Sequence, residues 1–502
     1  MNIKRAKEEI KNTIEAYLLK DEYGDYEIPS IRQRPVLLIG PPGVGKTQIM
    51  EQISKECQVG LVAYTITHHT RQSAVGLPFI EKKTYGGREY AVTEYTMSEI
   101  VASIYNKIEE SGLKEGILFI DEINCVSETL APTMLQFLQC KTFGNHAIPE
   151  GWIIVAAGNP PEFNKSVRDF DIVTLDRIKL IQVEADFGVW REYAGQVRIH
   201  PAILSYLGVK NQNFCRIETT VDGRMFATPR GWEDLSRLIE VYEKLGKPVD
   251  RDVVFQYIQH GKIAKDFANY LELYYKYQND YQVEEILAGT IRERVCDKLS
   301  RAPFDERLSV IGLLLSRLEK SFYEVWEKEL YLELLMKRLK AFQEQGAEKT
   351  DGTNALELFE TLLERQREER IQKKRAGLLS RREERTLMAV TGALERYGQV
   401  LKAEQRIRPD QAWERMRELF RGENEGYEAM CDESAGMLEN AFSFMEAAFG
   451  ESQEMVVFVT ELNTNYYCVH FLQSYDCERY YQYNRNLLFE EREAQLLEKI
   501  GR

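Results

Sequence analysis

Residues 35–48 read Pro-Val-Leu-Leu-Ile-Gly-Pro-Pro-Gly-Val-Gly-Lys-Thr-Gln. A short apolar run, enough for one buried strand, passes directly into the spacing G-x-x-x-x-G-K-[ST], carried by Gly40, Gly45, Lys46 and Thr47. Glycines let the backbone curl until successive N–H groups point at phosphate oxygens. The lysine reaches the β- and γ-phosphates, and the threonine hydroxyl ligates Mg²⁺. Gly40, Pro41, Pro42, Gly43, Val44, Gly45, Lys46, Thr47 and Gln48 therefore form a candidate ATP cradle. The alternative, a glycine-rich turn with a chance lysine, is opposed by the strand pattern before it and the helical pattern after it.

Two further apolar runs end in polar side chains suited to the same site. Ile117-Leu118-Phe119-Ile120 leads into Asp121-Glu122. Side chains at the carboxyl ends of parallel strands emerge into the ligand crevice. Asp121 is thereby placed to hold the metal, and Glu122 to polarise an attacking water. Trp152–Ala156 runs on through Ala157 and Gly158 to Asn159, whose amide suits the γ-phosphate or that water. With Gly60–Thr65 and Lys179–Val183, these runs alternate with helical segments, the rhythm of a parallel sheet covered on both faces. Phe79–Tyr95 breaks the rhythm: Gly86-Gly87 between alternating arms predicts a hairpin.

Composition bounds the rest. A chain of 502 residues with 44% hydrophobic and 29% charged residues has room for two to four globular domains. The charged, helix-patterned amino-terminal segment lacks the apolar core of a secretory signal, and no apolar run is long enough to span a bilayer, so a cytoplasmic protein without membrane association is expected. Eight scattered cysteines contain no C-x-x-C pair and read as mostly buried thiols. The adjacent His68 and His69, on a chain read as extended, point to opposite sides without a carboxylate cluster, so no metal is assigned to them. A net charge of −14 weighs against nucleic acid as a partner.

Strand signals fade near Phe187, and helical periodicity follows. The chain therefore divides into an αβα core over 1–189, a helical second domain over 190–280 and a mainly helical extension over 281–502. Ile311, Leu315, Leu318, Phe322 and Val325, continued by Leu332, Met336 and Leu339 after a break at Glu329, mark one long amphipathic helix. A core-facing stripe is the reading preferred over an intermolecular coiled coil. Residues 343–354, polar with two glycines, read as a hinge; residues 360–386, dense in both charge signs, read as a solvated helix or a docking arm. Met455–Val459 and the tyrosine-rich stretch 466–483 fit no pattern clearly enough to assign.

The motifs GPPGVGKT, THHTRQSAVGLP, ILFIDEIN, AAGNPPE, LDRI and ATPRGWEDLSRLI occur in this order over about the first 280 residues. Together they resemble the MoxR-like, dynein-related branch of the AAA+ ATPases. The resemblance implies an αβα core with a helical lid, assembled as a homo-hexamer whose nucleotide lies between subunits. It further implies that Arg177 in LDRI acts as an arginine finger, with Arg168 as competitor, and that Arg230 in TPRGW acts as a sensor in the lid. The hairpin falls where this branch carries an insertion, facing either the pore, with Tyr85, Arg88 and Tyr90 on substrate, or a neighbouring subunit. ATP hydrolysis, Mg²⁺, a client protein and a partner with a von Willebrand factor A domain are implied. The nucleic-acid-directed motor or restriction-type NTPase is the second class, and a small-molecule P-loop kinase the third. The long extension matches no family feature.

Overall fold

The computed structural model describes residues 1–68, 71–143, 145–163, 170, 172–220, 223–348, 355–403 and 408–485. The strands, in chain order, are β1 (Val36–Ile39), β2 (Gly60–Thr65), β3 (Pro78–Tyr85), β4 (Arg88–Tyr95), β5 (Gly116–Asp121), β6 (Thr142–Phe143), β7 (His146–Ala147), β8 (Trp152–Gly158), β9 (Lys179–Gln182), β10 (Arg216–Thr220) and β11 (Gly223–Ala227). Five of them form one parallel sheet in the order β2-β5-β8-β1-β9. The fold is thus the α/β P-loop sandwich expected, followed by a mainly helical region.

Because side chains alternate along a strand, each run feeds two cores at once. Leu37, Leu118, Ile120 and Ile154 pack on one face with Ile100, Ile104 and Phe137. Val36, Leu38, Ile117, Phe119 and Val155 pack on the other with Met50 and Ile53. Ala6, Ile10 and Ile14 of the helix Ile3–Leu18 cover that second face, which explains the helical patterning of the amino terminus. At the opposite end of the sheet from the phosphate loop, the Trp152 indole lies across the starts of β2 and β5. A Cβ on Gly116 would come within 2.6 Å of this ring, so glycine is required there.

Chain contacts divide the molecule into two compact units, Met1–Val189 with Arg367–Arg385, and Trp190–Gln366 with Thr386–Arg502. In the first unit β3 and β4 pair antiparallel, leaving Ile80, Tyr85 and Tyr90 exposed, with the two tyrosine rings 6.1 Å apart. At the hairpin's base Gly76 has φ +101° and approaches Thr96 O so closely that no Cβ would fit. Part of the mixed-charge segment belongs to this same unit: Lys107 Nζ, on the helix Glu99–Ser111, donates to Arg375 O at 3.5 Å. The charged segment is helical and largely exposed, in the helices Ala355–Ala376 and Arg381–Ala403, with a break at 377–380 where Gly377 is left-handed.

The second unit corrects two expectations and settles one stretch left unassigned. Its first part, read as wholly helical, contains the two-stranded antiparallel pair β10-β11. The long helix runs unbroken from Phe304 to Glu348, so the hinge read over 343–354 is helical in its first residues; 349–354 lie outside the described residues. Met455–Val459, β-like in composition, lies within the helix Gln453–Thr464, where Met455, Phe458, Val459 and Leu462 are buried. Tertiary packing overrides β-propensity there. The long stripe is core: Phe322 stacks on Phe471 at 4.3 Å and Ser321 hydrogen-bonds Ser434 at 2.6 Å. Of the eight cysteines three are buried, not most. Among the described residues no helix is long and apolar enough to cross a membrane.

Lys141 is a buried cation that pairs with no carboxylate among the described residues. It is 7% exposed, and its ammonium donates to Gln33 Oε1 at 3.0 Å and Ser30 Oγ at 3.3 Å. Burial pushes it from its ordinary value near 10.5 down to about 8. Between those values the unfolded chain binds more protons than the folded one, so this group makes stability rise with pH from about 8 to 10.5. Lys141→Met should remove that rise, about 1.4 kcal/mol per pH unit at most, and should be more stable than the native chain at pH 7. Urea midpoints of both proteins at pH 7, 8.5 and 10 measure it.

Candidate active site

The loop after β1 begins at Gly40, where a Cβ would meet Val183 O at 2.7 Å. It turns through Gly43 and Gly45, whose φ values of +79° and +96° favour glycine. The helix Lys46–Cys57 starts there without a side-chain cap, so its first N–H groups and the positive end of its dipole face the loop. Lys46 is 8% exposed, and its ammonium donates to Gly40 O at 2.8 Å, Pro41 O at 2.9 Å and Asn159 Oδ1 at 3.0 Å. Gln48 is exposed on the following turn, its Oε1 3.3 Å from where a Gly45 Cβ would lie.

The next residue, Thr47, donates its hydroxyl to Asp121 Oδ2 at 3.2 Å. A hydroxyl and a carboxylate side by side are an all-oxygen donor pair. This suits Mg²⁺, which takes few protein ligands and fills its octahedron with phosphate and water. Among the described residues no group of three or more His, Cys, Asp and Glu could hold a metal. His68 closes the 3-10 turn Ile66–His68 and is not on extended chain; His69 lies outside the described residues.

Glu122 adopts a left-handed backbone, φ +58° and ψ +34°, between β5 and the 3-10 turn Ile123–Cys125. A non-glycine residue held there costs of order 1 kcal/mol and persists only where its surroundings enforce it. Its N–H donates to Asp121 Oδ1 at 2.9 Å and its Oε2 accepts from Thr67 Oγ1 at 3.0 Å. The kink turns the carboxylate away from the strand's alternation.

Two residues of the site were missed. Thr67 orients Glu122, and its signal was present as the first residue of THHTRQSAVGLP. Asn124 donates Nδ2 to Asn159 O at 2.8 Å, and its Oδ1 lies 2.4 Å from where a Gly158 Cβ would stand. The glycine of AAGN therefore makes room for the asparagine of DEIN, a pairing visible only in three dimensions. Hydrogen bonds join Lys46 to Asn159 and, through it, to Asn124, and separately join Thr47 to Asp121, Glu122 and Thr67. Arg177 is not among them: exposed, it donates to Gln139 Oε1 at 2.6 Å. Arg230, in the second unit, is exposed on the first turn of the helix Pro229–Leu245, which Thr228 caps by accepting from Gly231 N. Arg168 lies outside the described residues.

A parallel sheet, a glycine-formed phosphate loop, and an adjoining hydroxyl, acid pair and amide at the strand ends define a P-loop ATPase. The family model of the AAA domain (dynein-related subfamily) matches residues 35–178, the stretch that carries every one of those groups. A solved structure of a RuvB point mutant from Thermotoga maritima aligns with 52% of this chain and 69% of its own at 16% identity. The TM-score of that alignment is 0.27, and no argument rests on it. No curated protein matches.

Lys46→Ala should bind ATP at least about tenfold more weakly, since a charge-assisted hydrogen bond to phosphate contributes about 1.5–3 kcal/mol. Titration with a fluorescent ATP analogue measures this. Asn124→Ala should leave ATP affinity nearly intact while lowering turnover, because it acts by positioning Asn159.

Proposed function

We propose that this chain is a MoxR-like AAA+ ATPase that couples Mg²⁺-dependent ATP hydrolysis to remodelling, activation or cofactor loading of a client protein. The observation that carries the reading is the convergence of Lys46, Thr47, Asp121, Glu122 and Asn159 beside a helix N-terminus. This is a set built to hydrolyse a γ-phosphate and to sense its loss. A magnesium ion bound between Thr47 and Asp121 would withdraw charge from the β- and γ-phosphates. Glu122, held by Thr67, takes a proton from the attacking water, and Asn159 orients that water or the γ-phosphate.

The proposed assembly is a homo-hexameric ring. Arg177 is exposed and bound to Gln139, free of the loop hydrogen bonds of its own chain, which supports a role on the nucleotide of a neighbouring copy. Arg230 would sense the γ-phosphate from the helical lid, residues 190–280. The exposed aromatics of the β3-β4 hairpin, Tyr85 and Tyr90, support contact with a client in the ring's pore, and the extension over 281–502 supplies further surface for it. A partner with a von Willebrand factor A domain belongs to the same proposal. Hydrolysis drives motion because contacts to the γ-phosphate give ATP and ADP different affinities for the two states of the ring.

Glu122→Gln should bind ATP with native affinity yet turn it over at least about 100-fold more slowly, the scale of a lost general base. It should remain assembled with ATP on gel filtration. A variant that hydrolyses at the native rate, or hydrolysis by the native chain stimulated strongly by DNA or RNA, contradicts the reading.

A further inference from the structure

In the second unit a cavity of about 450 Å³ opens between the helices Phe187–Val197, Pro201–Val209, Phe304–Glu348 and Gln453–Thr464. Its volume lies within the range of small-molecule sites. One part is apolar, with Leu204, Leu308, Leu315 and Val457 on the wall; the other is polar, with Glu319, Arg191 and Glu461.

Three glycines from three helices line it: Gly195, Gly208 and Gly312. Glycine inside a helix costs about 1 kcal/mol relative to alanine. At Gly312 close packing accounts for it, because a Cβ would stand 3.0 Å from Ser205 Oγ. At Gly208 a Cβ would meet nothing within 4 Å, and at Gly195 the nearest atom would be Glu319 Oε1 at 3.7 Å. Packing thus requires glycine at neither position, and the space that both leave empty is the cavity.

The two carboxylates of the polar end are unequally paired. Glu319 is half-buried, and desolvation raises its carboxyl above the usual carboxylate range; a hydrogen bond from Asn465 and the fields of Arg198 and Arg191 oppose the rise only in part. Neither guanidinium pairs with it. Arg191 forms an ion pair with Glu461, and Arg198 lies over the Tyr323 ring at 4.4 Å. Next to it the Cys468 thiol is pushed well above its usual range by burial and by Glu319. Glu319 is thus a carboxylate on the cavity wall that feels both guanidinium charges through space but forms an ion pair with neither.

We propose that this cavity binds a small amphipathic cation, an aliphatic body with a terminal amine, its nitrogen pairing with Glu319 and its chain lying along Leu204, Leu308 and Val457. The site joins helices that precede and follow the long helix, so a bound amine would fasten them together.

Calorimetric titration of the full chain with n-octylamine, 1-octanol and octanoate tests this. Saturable binding is expected for octylamine, weaker binding for octanol, and none for octanoate. The near-isosteric Glu319→Gln should weaken octylamine at least tenfold while leaving octanol unchanged, and Gly208→Leu, which fills the cavity, should remove both without altering ATP turnover. Octylamine binding no tighter than octanoate, or unchanged in Glu319→Gln, overturns the proposal. The failure of either leaves the assignment of the ATPase site untouched, because none of these residues belongs to it.

Discussion

One buried ammonium ties the nucleotide site together. Lys46 is held by two carbonyls of its own loop and by the side-chain oxygen of Asn159, so the turn after β1 and the end of β8 share a single charge. Burying a cation is unfavourable unless strong acceptors surround it, and these three oxygens are among its acceptors. The glycines at 40, 43 and 45 follow from that requirement, since only a tightly curled backbone brings carbonyls and amides to such close quarters. Triphosphate supplies a far better acceptor at the same place, which is why the arrangement is a binding site as well as a knot in the fold.

The rest of the site is arranged around that charge by strand adjacency. β5, β8 and β1 lie side by side, so Asp121, Asn159 and the loop emerge at one edge although far apart in the chain. Parallel pairing makes this geometry automatic once the strands are in register. What it does not supply is the direction of Glu122, which comes from its own left-handed backbone and from Thr67 in the 3-10 turn after β2. Strand order thus delivers the groups, and local strain aims one of them.

The nucleotide-binding fold was legible because its signals are local: apolar runs of strand length, each ending in a residue with evident chemistry. Val36–Ile39, Gly116–Asp121 and Trp152–Gly158 fall within two residues of their sequence reading at each end. Thr67 and Asn124 were not legible, because their importance lies in partners 55 and 35 residues away. Farther along the chain, Met455–Val459 shows the same limit in the fold: a β-branched run becomes helical when a bundle offers its side chains a buried face. The β10-β11 pair was hidden for the opposite reason, two short strands inside strongly helical surroundings.

The central proposal is that ATP is hydrolysed at a site which one copy builds and another completes. Mixing two separately inactive variants, Glu122→Gln and Arg177→Ala, tests it most directly, with steady-state ATP turnover as the readout. Sites formed by the Arg177→Ala copy's own Glu122 and the intact arginine of its neighbour should restore part of the native rate. A mixture as inactive as its components, or an Arg177→Ala protein that turns over ATP at full speed alone, would contradict the account.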